Sequence, residues 1–205
     1  MTTRLAEEIF EVPIGRYEYD LVTREINPRA IEFDRRPLGV DFWHNQMLKA
    51  QKAGKRISYS NEWSDIYDYL GTRDREFQRH FLDTPSWTGT VLDFTDNTLK
   101  EGITLNEDGT IADAKIVLGE KDGIILPRSR CHLRNLDKEC LPCFAYLLGI
   151  KDPKKELSPD TYMWITPSGI RPVARGMPYP RTDSHVLIDA DYSPKEKWFS
   201  AWMVS

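Results

Sequence analysis

Apolar and polar positions along this chain follow two different periods. From Asp41 to Gly54 the residues Trp43, Met47 and Ala50 recur at helical spacing, with Asp41 placed to accept from first-turn amides and Gly54 to take the left-handed conformation at the end. A second helix is predicted over Asn61 to Gly71, burying Trp63, Ile66, Tyr67 and Leu70. A third follows over Thr72 to Leu82, where Phe77 and Phe81 fall one turn apart, and Pro85 closes the helical third. Ahead of it, Glu8 to Val12 fits either a strand or a short helix, while Tyr17, Tyr19 and Leu21 alternate with Glu18, Asp20 and Val22 as in a strand.

Past Pro85 the period shortens to two. Asn106-Glu-Asp-Gly109 and Glu120-Lys-Asp-Gly123 are turn sequences, and between them Ala112, Ala114, Ile116 and Leu118 share one face and Asp113 and Lys115 the other. Gly89 to Pro127 therefore reads as an antiparallel meander. Thr161 to Ala174 reads as a hairpin turning at Pro167-Ser-Gly169, with Pro172 confining its second arm to a sheet edge. Gly176 to Pro180 is too rich in proline for either regular element, and Val186 to Ala190 reads as a final strand. Ser193-Pro-Lys-Glu196 matches a capping box, followed by the aromatic face of Trp198, Phe199, Trp202 and Met203. With no repeat or low-complexity linker, the expectation is one α+β domain over residues 1–205, mainly antiparallel, with a helical layer from about residue 41 to 82 and an aromatic C-terminal tail at 193–205.

Composition narrows the class. For 205 residues, area scaling leaves roughly 70% of the chain's surface buried, enough for one core. A net charge of -4 argues against a dedicated nucleic-acid binder, and 40% hydrophobic residues argue against disorder. The most apolar stretch, Cys140 to Ile150, is far shorter than the roughly 18 residues a membrane span needs. Glu7 and Glu8 stand where an export signal needs an apolar run, and three cysteines do not make an even disulfide framework, so the expected location is cytoplasmic.

Four groups of residues could carry chemistry. Cys140-Leu-Pro-Cys143 has the gap of a metal or redox pair, and with Cys131 it could hold a structural zinc ion. If 129–133 is extended, however, Cys131 and His132 point to opposite faces, and reduced core cysteines are the favoured reading over zinc or a redox pair. The same extended segment puts Arg128, Arg130, His132 and Arg134 on one face, which calls for an anionic ligand or for the protein's own acids. Asp183 and His185, with Asp189 and Asp191 further along, suggest a general base and its orienting partner, although a strand spreads His185 and Asp191 about 20 Å apart. Trp198, Phe199 and Trp202 form an apolar end that must dock on the protein's own sheet or on a partner.

No phosphate-binding glycine loop, G-x-S-x-G elbow or H-E-x-x-H pair is present. The leading expectation is therefore an accessory or assembly subunit that binds a protein partner, or its own copies, through the aromatic tail. The competing expectation is a small enzyme or ligand-binding protein with an Arg/His-lined pocket for an anionic substrate.

Overall fold

A computed structural model of the chain describes residues 9–14, 29–128, 131–150, 153–156, 159, 161–176, 188–191, 194 and 199–205. In chain order these form β1 (Ile9–Ile14), β2 (Arg29–Asp34), β3 (Leu38–Asp41), α1 (Trp43–Lys52), β4 (Arg56–Ile57), α2 (Ser60–Arg73) and α3 (Arg75–Asp83). The meander β5 (Ser86–Asp93), β6 (Thr98–Leu105) and β7 (Ile111–Leu118) follows, then β8 (Cys131–His132), α4 (Leu141–Leu148) and α5 (Pro153–Glu156). The chain ends with β9 (Tyr162–Ile165), β10 (Ile170–Arg175), β11 (Ile188–Ala190), β12 (Phe199–Ala201) and β13 (Met203–Val204). The class is α+β, mostly antiparallel, with α1 to α3 as the expected helical layer. The strand predicted over 17–22 lies outside the described residues.

Local chemistry explains the helix boundaries. Asp74 starts α3, its carboxylate accepting from the Phe77 amide at 3.0 Å and from Arg35 at 2.8 Å. Asp41 does not cap the first turn of α1 as expected; it accepts from the neighbouring Phe42 amide and from the Asn45 and Lys49 side chains. Gly54 does take the left-handed conformation, at φ 67.

The architecture turns on β5, whose eight residues are all buried. One edge of β5 pairs with β10 along its length. The other edge forks, because Ser86 and Trp87 lie beside β12 and Val91 to Asp93 lie beside β6. In the gap the Gly89 amide donates to the Ser58 carbonyl at 2.9 Å, where the chain crosses from β4 into α2. A Cβ at Gly89 would stand 3.0 Å from the Ile57 carbonyl and 3.2 Å from the Tyr59 ring, so only glycine lets the two backbones approach this closely.

Three expectations are corrected here. β9 and β10 are not a hairpin: β11 lies between them, antiparallel to β10 and parallel to β9. Local turn chemistry signals a hairpin, but a strand from further along the chain takes the pairing edge. The second arm is consequently not a sheet edge, since β10 runs between β5 and β11; Pro172 lies opposite Val91 of β5, next to a register shift between Pro172 and Ala174 and ahead of the two residues that pair with β11. Residues 199–205 are extended rather than the helical continuation that the capping box implies.

That last segment joins the two sheets. β12 pairs with β3 and β5 in the nine-stranded sheet, and two residues later β13 pairs with β2 and β4 in the four-stranded one. Between them the Trp202 carbonyl accepts from the Ser58 amide at 3.0 Å. The Trp202 side chain is fully buried, with ring centroids 5.1 Å from Phe81 and 5.5 Å from Phe33.

Helix α4 packs Phe144, Leu147 and Leu148 against the sheet and is fixed at its C-terminal end by two devices. Arg175, 1% exposed, donates to the Leu147 carbonyl at 2.6 Å and to the Ser60 carbonyl at 2.8 Å, and lies 4.8 Å above the Trp63 ring. Ser60 and Ser64 hydroxyls donate to the Leu147 and Leu148 carbonyls. These contacts satisfy terminal carbonyls, and the negative end of the helix favours the cation, while burial pulls the Arg175 pKa down to about 9. The second device is Gly149 at φ 65, where a Cβ would meet the Asn61 carbonyl oxygen at 2.8 Å. Gly149→Ala is expected to cost about 1–3 kcal/mol, because left-handed strain adds to a backbone clash; chemical denaturation measures it, and an unchanged midpoint would contradict the close approach.

Candidate functional site

Of the residues singled out from the sequence, the structure describes the side chains of Arg128, His132, Arg134, Cys140, Cys143, Asp189, Asp191, Phe199 and Trp202. β8 has two residues and a 3-10 turn over Leu133–Asn135 follows it, so the alternation expected to align Arg128, Arg130, His132 and Arg134 breaks after His132. Arg128 and Arg134 are exposed, His132 is half-buried, and Arg130 lies outside the described residues. Cys140 precedes α4 and is 7% exposed, and Cys143 is fully buried in the core against the sheet. Burial pushes the Cys140 thiol up, with Asp137 and Glu139 adding to the effect, the opposite of what an activated thiolate requires. The Cys131 side chain lies outside the described residues, and among those residues no group of three or more His, Cys, Asp or Glu could hold a metal ion.

Asp183 and His185 also lie outside the described residues. Asp189 is not on a polar outer face, since β11 is interior and Asp189 is 2% exposed, accepting from the Asp191 amide at 2.9 Å. Phe199 and Trp202 belong to the protein's own core, at 4% and 0% exposure, and Trp198 lies outside the described residues. Among the described residues no helix is long and apolar enough to cross a membrane.

A different cluster assembles at the fork of β5. Glu101 points from β6 to the side where the β4–α2 crossing and α4 pack, and is 5% exposed. Its carboxyl accepts from the Thr90 hydroxyl of β5 at 2.8 Å and from the Tyr146 hydroxyl of α4 at 2.8 Å. Thr90 is itself held by the Ser60 amide, which donates to its oxygen at 2.9 Å. Beside this chain of bonds, Arg56 makes a two-armed pair with Glu62, both contacts at 2.6 Å, and its guanidinium lies 4.1 Å over the Tyr59 ring. Glu62 also accepts from the Tyr59 amide at 2.9 Å, which fixes it at the start of α2.

Electrostatics separate the two carboxyls. Burial is the dominant influence on Glu101 and pushes its pKa up to about 7, against the hydroxyl bonds from Thr90 and Tyr146. The nearby Glu62 charge raises it further and Arg56 lowers it, but Arg56 gives both its arms to Glu62. For Arg56, burial opposes the charge, yet the bonds to Glu62 outweigh it and hold the guanidinium above its ordinary value. Burial raises the Tyr59 hydroxyl, with Arg56 pulling the other way. The result is a fixed ion pair next to a carboxyl that exchanges its proton near neutrality, the setting in which acid–base groups work.

Part of the cluster lies near the surface. Tyr59, Arg56 and Tyr146 are half-buried, and Gly102, next to Glu101, is exposed, with the Tyr59 hydroxyl 3.9 Å from where a Gly102 Cβ would stand. Sequence reading misses this site because its members come from β4, α2, β5, β6 and α4 and share no motif. The one local signal is Glu101 itself, a carboxylate in the second meander strand between Leu99 and Ile103, both buried. Comparison with protein-family models, with curated proteins and with solved structures finds no match.

Proposed function

We propose that this chain is a small ligand-binding protein with acid–base capacity, working at Glu101 rather than through its C-terminal tail or the Arg128 to Arg134 segment. The observation that carries the reading is a buried carboxyl held by two hydroxyls, from Thr90 and Tyr146, one residue from the exposed Gly102. In this reading Thr90 orients the carboxyl, Tyr146 relays its proton towards the surface, and the Arg56 and Glu62 pair supplies a rigid wall.

The test uses three small probes of different charge, acetamide, acetate and ethylammonium, titrated into isotope-labelled protein. Saturable shifts of the Gly102 and Tyr146 amide resonances by at least one probe are expected, reduced at least tenfold in affinity by Glu101→Gln. Absence of any saturable shift there with all three probes would overturn the reading.

A further inference from the structure

The cluster contains two carboxyls, Glu62 and Glu101, and the Arg56 guanidinium hydrogen-bonds the first of them. Arg56 shows how the site satisfies a carboxylate, with its guanidinium flat on the Tyr59 ring and both arms on Glu62. Glu101 presents the same pair of groups, a carboxyl bonded to the tyrosine Tyr146, but its described hydrogen-bond partners are hydroxyls and none is a cation. The groups facing it are Thr90 from β5, Tyr146 from α4, Glu62 and Tyr59 from the start of α2, and Arg56 from β4. Lys115 of β7, opposite Glu101 in the ladder, is exposed and lies beside Gly102. When ionised, Glu101 therefore has no cation among its described hydrogen-bond partners, and a buried charge without a close counter-ion is costly.

Resting on the reading of Glu101 as the working group, we propose that the site binds a small primary amine as its ammonium ion, taken up in exchange for the proton of Glu101. The ammonium donates to the carboxylate that it creates, the carboxyl proton passes to solvent by way of Tyr146, and the total charge of the cluster is unchanged. Tyrosine faces favour such a cation, as the Arg56 stack on Tyr59 already illustrates. Proton-linked exchange also explains why the carboxyl is kept near neutral pKa rather than paired with a built-in arginine.

The probe is ethylammonium chloride, with potassium chloride as the ionic-strength control, added to unbuffered protein at pH 6 in a pH-stat. One proton should be released per amine bound, and affinity should fall about tenfold for each pH unit below the midpoint of Glu101. Glu101→Gln should abolish the proton release, and Tyr146→Phe should retain it with weaker binding. Ethylammonium binding without proton release, or with affinity independent of pH, overturns the exchange. Binding of acetamide or acetate but not ethylammonium overturns the amine preference and leaves the Glu101 site standing, whereas silence from all three probes overturns both.

Discussion

Removing residues 199–205 is expected to abolish cooperative folding. The segment supplies β12 to one sheet and β13 to the other, so its loss takes from β3 its only described strand partner and separates β2 from β4. It also removes Phe199, seated 4.7 Å from the Trp87 ring, and Trp202, enclosed by Phe33, Phe77 and Phe81. Trp202→Ala isolates the largest of these contributions. Truncating a fully buried aromatic costs about 3–5 kcal/mol, a large part of the roughly 5–15 kcal/mol that holds a domain folded. Urea denaturation followed by near-ultraviolet dichroism measures both variants. A truncated chain that melts cooperatively at the parent's midpoint would show that the tail is an accessory and would restore it as a candidate docking element.

Glu101→Gln is expected to stabilise the protein in alkaline solution and to leave it unchanged in acid. The folded pKa of about 7 lies above the ordinary carboxyl value of 4.5. Below 4.5 both folded and unfolded chains hold the proton and the stability is fully present. Between 4.5 and 7 the unfolded chain releases it while the folded chain does not, so stability falls as pH rises, and above 7 the whole contribution is lost. The span corresponds to about 3 kcal/mol at 1.36 kcal/mol per pH unit. A glutamine keeps the shape, carries no charge and can still bond Thr90 and Tyr146, whose hydroxyls rotate to suit. Denaturation midpoints at about pH 3.5 and pH 8 decide it: the variant and the parent should coincide at the first and separate at the second. A parent whose stability relative to the variant does not change with pH would refute the raised pKa. A residue that lowers stability where the protein works is also the pattern expected of a group retained for function.

The helical third was legible because its signals are local. Trp63, Ile66 and Leu70 recur at helical spacing and all three are buried, and α1 to α3 lie within a few residues of the predicted bounds. The meander was legible as far as Leu118, since Asn106 to Gly109 is a turn. The second turn, Glu120 to Gly123, forms around a 3-10 segment but leads into irregular chain rather than a further meander strand. Helix α4 carries readable marks, Pro142 in its first turn and left-handed Gly149 at its end, while the spacing of Cys140 and Cys143 at its start equally fits metal or redox chemistry.

Pairing between distant segments was not legible. The insertion of β11 between β9 and β10 is a pairing between segments distant in sequence, and turn residues at 167–169 carry no information about it. The same holds for the tail, whose aromatic spacing suits a helix until Trp202 finds a cavity lined by Phe33, Phe77 and Phe81. By itself the amino-acid sequence determined the α+β class, the helical layer, the meander and the need to bury an aromatic C-terminus, because each follows from the period of apolar side chains over a few neighbouring residues. Only the tertiary structure decided where that terminus goes and which carboxyl loses its water. Glu101 is one of 32 acidic residues and differs from the others through neighbours brought from four other elements, and desolvation is a property of the packed whole rather than of any short stretch of chain.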